Sequence, residues 1–132
     1  MEEKFVITEI KRIVMVGKNE YSTPMISFGH TVNHNELIFH FSGQATVFFD
    51  DLVLETKPNT IRFLPQGESK RYDVLRHDRG ECIDVFFSAD RPLSSQAFVI
   101  DVAHNEKLGA LFKKLFSTWV SKKEGYYFES VS

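Results

Sequence analysis

The feature that most constrains this chain is a change of period. Up to Ile100 the apolar residues fall in short runs broken by turn residues, whereas from Asn105 they recur at helical spacing. Residues 5–16 read as one or two strands, closed by turn chemistry at Gly17-Lys18-Asn19-Glu20. Residues 25–34 alternate less cleanly. Leu37-Ile38-Phe39-His40-Phe41 is a compact apolar strand stopped by Ser42-Gly43. Residues 46–49 and 52–55 flank Asp50-Asp51 as a hairpin. In Lys57-Pro58-Asn59-Thr60 the proline presets its dihedral and the asparagine tolerates a left-handed backbone, so this is a turn. Ile61-Arg62-Phe63-Leu64 is a strand ended by Pro65-Gln66-Gly67. Residues 71–75 and 82–87 are strands joined by the polar Arg76-His77-Asp78-Arg79-Gly80, and 98–100 adds an edge strand. Short strands in series, with no helix between them, predict an antiparallel sandwich or barrel. Thirteen Phe, twelve Val, eight Ile and seven Thr against five Ala favour strands over helices in the same way.

The spacing predicts a helix over about 105–122, with Asn105 or Asp101 as its N-cap, Lys122 and Lys123 near the negative end of its dipole and Gly125 just past its end. Its apolar stripe runs from Leu111 round to Val120, about half the circumference, which is wider than a helix lying on one sheet needs. Either the C-terminal tail covers the excess or another helix meets it. In the second case Phe112, Phe116, Trp119 and Val120 form a homodimer interface. Residues 1–104 are therefore expected to form a β-barrel with an N-terminal arm, and 105–132 a helix plus the start of a further helical segment at Tyr126-Tyr127-Phe128. The aromatic ending is read as the edge of a fragment of a longer protein.

Length and charge exclude several classes. A chain of 132 residues is one domain that buries about two-thirds of its unfolded surface, and needs no disulfide or structural metal. The single cysteine, Cys82, excludes an internal disulfide framework and cysteine-rich zinc modules. A net charge of −2 gives no global attraction for nucleic acid or an anionic membrane. The region 105–123, with five Lys and one Glu, is a solvated face rather than a DNA reader. No apolar run approaches the ~20 residues of a membrane span. The start, Met1-Glu2-Glu3-Lys4, lacks the apolar core of a secretory signal, so a cytoplasmic setting is expected.

Two resemblances sharpen this reading. The segment 30–74 resembles the paired cupin motifs. Glu36 and Gly43 stand with six residues between them, and His30 occupies the first histidine position, but Val32 stands at the second. Asn59, Pro65 and Gly67 fit the second motif, with Lys70 at its histidine and Val74 at its asparagine. The skeleton is kept while most ligands of a metal are lost, so no metal or other cofactor is expected. In addition, Glu36-Leu37-Ile38-Phe39-His40-Phe41-Ser42-Gly43, the following hairpin and Lys57-Pro58-Asn59-Thr60 resemble the N-terminal domain of AraC-type transcription regulators. So does the helical stretch from Asn105 through Trp119 to Gly125-Tyr126. This resemblance covers about residues 25–128. It implies a cupin-type double-stranded β-helix, or jelly roll, followed by a helix. It also implies a small-molecule effector inside the barrel, dimerisation through helices, and DNA binding by a C-terminal helix-turn-helix half that is absent from these residues. In relatives an N-terminal arm can cover the barrel, which makes residues 1–16 the candidate moving part.

Strand alternation tests the effector idea residue by residue. If Glu36 points inward, so do Ile38 and His40, while Leu37, Phe39 and Phe41 point out. If Lys70 points inward, Tyr72 and Val74 share its face. The expected ligand site is thus His30, Glu36, His40, Lys70 and Tyr72 among apolar walls, suited to a sugar or a small carboxylate. The plainer reading is a structural Glu36–Lys70 ion pair at the barrel mouth. Cys82 is expected as a buried, inert thiol and Asp84 as exposed or hydrogen-bonded. No nucleophile elbow, phosphate loop or zinc-protease motif occurs, so the chain is read as a binding domain, not an enzyme. The alternatives are a stand-alone cupin enzyme of isomerase or dioxygenase type, and a barrel that binds nothing and only dimerises.

Overall fold

The computed structural model describes residues 10–22, 25–32, 34–89 and 96–131. Among these, nine strands precede one helix: β1 (Ile10–Tyr21), β2 (Met25–Val32), β3 (Asn35–Ser42), β4 (Ala45–Phe49), β5 (Leu52–Thr56), β6 (Thr60–Leu64), β7 (Gly67–Arg76), β8 (Gly80–Ala89), β9 (Phe98–Asp101) and α1 (Lys107–Val131). They form a five-stranded sheet, β1-β8-β3-β6-β9, facing a four-stranded sheet, β2-β7-β4-β5. Every strand pairing is antiparallel. This is the mainly β barrel with a C-terminal helix that the period change predicts.

Local chemistry sets the corners. Asp50 in the β4–β5 hairpin and Asn59 before β6 take left-handed backbone, φ 50° and 64°, which short polar side chains tolerate. Gly43 has φ 85°, and a Cβ there would stand 2.7 Å from the Arg79 carbonyl oxygen. The turn after β3 can therefore lie against the turn before β8 only with glycine at this position.

The outer face of the larger sheet is apolar. Val16, Phe63, Ile83, Val85 and Phe87 form one buried cluster, flanked by Leu37 and Phe41. Phe112, Leu115, Phe116 and Trp119 of α1 pack on it. Phe39 and Phe112 meet with ring centroids 5.3 Å apart. A Cβ on Gly109 would lie 3.3 Å from the Phe39 and Phe41 rings, so the bare backbone seats the first turn of the helix. Asn105 is the cap: its Oδ1 accepts the Lys107 N–H at 3.2 Å, while Asp101 accepts the Ala103 N–H in the preceding loop.

Four expectations change. Residues 17–20 are strand, not turn, because β8 offers ladder partners throughout: Gly17 faces Asp84, Lys18 faces Ile83, Asn19 faces Cys82 and Glu20 faces Glu81. Residues 10–16 of the expected moving arm are held in the same ladder, and residues 1–9 lie outside the described ones. The helix runs through Gly125 to Val131. A glycine inside a helix costs only about 1 kcal/mol, too little to end it alone, and the aromatic segment at Tyr126 belongs to this one helix. Finally, the wide stripe divides. Phe112, Phe116 and Trp119, expected at a dimer interface, seat on the barrel. Leu111 and Val120 lie at the two flanks of the stripe, 57% and 37% exposed.

Candidate ligand site in the barrel interior

The inner face of the same sheet is polar. Register places Glu36, Ile38 and His40 of β3 beside Leu64, Arg62 and Thr60 of β6. On the other side, Phe86, Asp84 and Cys82 of β8 stand beside the same three residues. Tyr72, Val74 and Arg76 alternate on β7 of the opposite sheet. Between the sheets is a cavity of about 510 Å³. Its polar wall includes His40, Arg62, Tyr72, Arg76 and Asp84, with Asn19, Glu20, Tyr21 and Ser27, and Met15, Ile38, Val74 and Phe86 are among its apolar residues. Glu36 is not part of the wall; its carboxylate accepts a hydrogen bond from the Tyr72 hydroxyl, which is.

Burial dominates the electrostatics. Glu36 is 3% exposed, and desolvation pushes its carboxyl up to about 7 against the pull of Arg62. His40 is 1% exposed; burial, then the charges of Arg62 and Arg76, push its imidazole down to about 3, so it is neutral near pH 7. Burial raises Tyr72 to about 12. Cys82 rises to about 12 through burial and then the Asp84 charge, which leaves the inert thiol the sequence predicts. Burial also raises Asp84, opposed first by Arg62. Asp84 is buried and accepts from the Asn19 amide and, at 3.5 Å, from the Cys82 thiol. Arg62 lies 5.5 Å from the Tyr72 ring centroid, and Arg76 lies 4.0 Å from that of Tyr21.

The hydrogen bonding is incomplete in one place. Among the described residues, the buried side-chain atoms without a partner are Glu36 Oε2, His40 Nε2, Arg62 Nε and Nη1, and Arg76 Nη1. Each such atom costs about 1–3 kcal/mol, more when charged. All five belong to residues of this interior, where a ligand can satisfy them.

Of the residues expected from the sequence, Glu36, His40 and Tyr72 come together here. The backbone of His30 pairs with Tyr72, but the side chains of His30 and Lys70 lie outside the described ones, and with them the expected Glu36–Lys70 pair. The described cation acting on Glu36 is Arg62. Sequence reasoning passed over Arg62, although a charge in the middle of Ile61-Arg62-Phe63-Leu64, one residue from Phe63, belongs to the opposite face. Arg76 opens the polar stretch Arg76-His77-Asp78-Arg79-Gly80 and suggests a loop, yet it is the last residue of β7.

A metal is not suited to this interior. At the described cupin-motif positions Glu36 can ligate, but Val32 and Val74 cannot, and both are buried. The Arg62 guanidinium acts on the same carboxylate. Among the described residues no group of three or more His, Cys, Asp or Glu could hold an ion.

Solved structures share this architecture. ToxT from Vibrio cholerae strain SCE256, described with an unsaturated fatty acid bound, aligns over 89% of this chain and 50% of its own, at TM-score 0.60 and 6% identity. ToxT from V. cholerae O395 aligns over 79% of this chain and 45% of its own, at TM-score 0.58 and 11% identity. A cupin superfamily protein from Desulfitobacterium hafniense DCB-2 aligns over 63% of this chain and 84% of its own, at TM-score 0.50 and 12% identity. The fold they share with this chain is the cupin barrel. The chain spans about half the length of the ToxT structures it matches. No protein-family profile matches the chain, and no curated protein matches it. Among the described residues no helix is long and apolar enough to cross a membrane.

Proposed function

We propose that this cupin barrel is the small-molecule-sensing domain of an AraC-type transcription regulator and not an enzyme. Its effector, a sugar or another small polar metabolite, lies between the two sheets. The observation that carries the reading is the cavity of about 510 Å³ whose wall includes buried polar atoms without hydrogen-bond partners. Glu36, His40 and Tyr72, together with Arg62 and Arg76, serve the ligand. In this reading DNA binding belongs to a helix-turn-helix half, as the length of ToxT supports, and residues 1–104 and 105–132 are the sensing barrel and the helical link to that half.

An effector shifts the packing of the barrel only by its difference in affinity for two states. The same reading includes a cytoplasmic homodimer. Its contact involves the exposed flanks of α1 at Leu111 and Val120, beside the barrel-seated Phe112, Phe116 and Trp119.

A thermal-shift screen of sugars, polyols and small carboxylates tests the sensing role, because a ligand that binds only the folded state must raise the melting temperature. A shift that disappears when Val74 is replaced by Trp, which fills the cavity, supports the reading. A shift that survives the filling moves the site elsewhere. Sedimentation at rising protein concentration tests the homodimer, and a monomer throughout excludes it.

A further inference from the structure

The interior contains two guanidiniums whose donors are not used up. Arg62 is 2% exposed, on the middle of β6, and both its Nε and its Nη1 are buried without an acceptor. Arg76, at the end of β7, also has a buried Nη1 without an acceptor, while the guanidinium lies over the Tyr21 ring. Both line one cavity, and both charges act on His40, Cys82 and Asp84. A guanidinium is a fixed fork of donors with no acceptor, and its best partner is a planar anion. The acids present do not meet this need. Glu20, which also lines the cavity, is paired with Lys18. Asp84 is engaged with Asn19 and Cys82. Glu36 is hydrogen-bonded to Tyr72 and keeps one oxygen unpartnered. A neutral sugar would satisfy donors one at a time and bring no counter-charge of its own.

Resting on the effector reading above, we propose that the barrel takes an organic carboxylate, bound by Arg62 and Arg76, and that Glu36 takes up a proton as the ligand replaces it as the counter-charge of Arg62. Among the described residues, the groups acting on Glu36 are Arg62 from β6, Asp84 from β8 and Tyr72 from β7. Of these only Arg62 is a cation. When a ligand carboxylate engages it, its pull on Glu36 weakens and a second negative charge comes near. Both changes favour the protonated acid. No bond to carbon forms or breaks; one proton moves from solvent to Glu36 as the anion enters.

The test uses hexanoate and gluconate, each against its neutral counterpart, hexanamide and sorbitol, titrated calorimetrically into the wild-type chain. At least one carboxylate should bind about ten- to a hundredfold more tightly than its counterpart, the range for hydrogen bonds to a charged group. Preference for hexanoate or for gluconate tells an apolar-tailed source from a polyhydroxy one. In buffers of different ionisation heat, binding at about pH 7.5 should take up a proton in the wild type and none in Glu36→Gln, and wild-type affinity should fall as pH rises through about 7. Arg76→Gln should weaken the carboxylate and leave the counterpart unchanged, and it serves where Arg62→Met does not fold. Equal binding of hexanamide or sorbitol overturns the carboxylate while leaving an effector in the barrel. Tight carboxylate binding with no proton uptake overturns the exchange at Glu36. No binding of any of the four overturns the carboxylate inference, while the sensing role stands or falls with the thermal-shift screen.

Discussion

The two faces of the β1-β8-β3-β6-β9 sheet are built from alternate residues of the same strands, yet they obey different rules. Outward, Phe63, Ile83, Val85 and Phe87 make a continuous apolar surface under α1. Inward, Glu36, His40, Arg62 and Asp84 are just as thoroughly buried and include groups whose hydrogen bonds are incomplete. One face is finished by the helix that covers it, and the other is finished by nothing in the described chain. Burial alone therefore does not distinguish structure from function in this barrel. The kind of atom left buried does.

The sharpest way to break the comparison is to cut each face in turn. Phe63→Ala should cost about 3–5 kcal/mol, because a fully buried ring leaves a cavity that its neighbours close only in part. Denaturant unfolding should return the same loss at about pH 5 and about pH 8, since nothing in that cluster titrates. A strong pH dependence of the loss would show that the two faces are coupled rather than separate.

The inner face should instead reveal itself through pH. Glu36 is raised from 4.5 to about 7, so the folded state holds a proton that the unfolded state releases. Its contribution is full below 4.5 and is lost as pH rises through about 7, by roughly 3 kcal/mol. His40 has the opposite sign: lowered from 6.5 to about 3, it contributes stability that is present above 6.5 and lost as pH falls towards about 3. Between about 4.5 and about 6.5 these two slopes oppose and cancel each other, which leaves the wild type the fall that the raised Asp84 adds. Glu36→Gln should expose the His40 slope, with stability rising with pH across that window. His40→Gln should expose the Glu36 slope, with stability falling, and the raised Asp84 adds to that fall from lower pH. Unfolding of the three chains at a series of pH values checks the signs directly.

The smallest effects belong to the margins of the helix seat. Leu111→Glu and Val120→Glu should each change monomer stability by no more than about 0.5 kcal/mol, because both side chains already meet water. Phe116→Glu should cost clearly more, because Phe116 packs on the barrel cluster. Equal costs at all three positions would mean that the stripe is covered along its full width.

Much of the barrel was legible because its signals are local. Pro65-Gln66-Gly67 ends β6 where expected, Asn59 takes the left-handed backbone its side chain permits, and the alternation in Leu37-Ile38-Phe39-His40 assigns the two faces correctly. The failures share one cause. Gly17-Lys18-Asn19-Glu20 has turn composition, but a ten-residue partner strand, Gly80–Ala89, supplies ladder bonds that local propensity cannot oppose. Half the candidate site was legible because alternation and motif spacing are local signals too: they bring Glu36, His40 and Tyr72 to the barrel interior. Arg62 is not reached this way, since nothing in Ile61-Arg62-Phe63-Leu64 says whether its inner face meets solvent or a closed cavity.

By itself, then, the sequence determined that short strands precede one helix and how side chains divide between faces, because both depend on periods of two and 3.6 residues written along the chain. Only the tertiary structure decided which charges share one interior. Arg62 and Arg76 lie on different sheets, and their common cavity exists only once β6 and β7 are closed against each other. The same closure excludes water from Glu36 and His40, and it is this desolvation, a property of the packed barrel and not of any residue, that drives their carboxyl and imidazole in opposite directions.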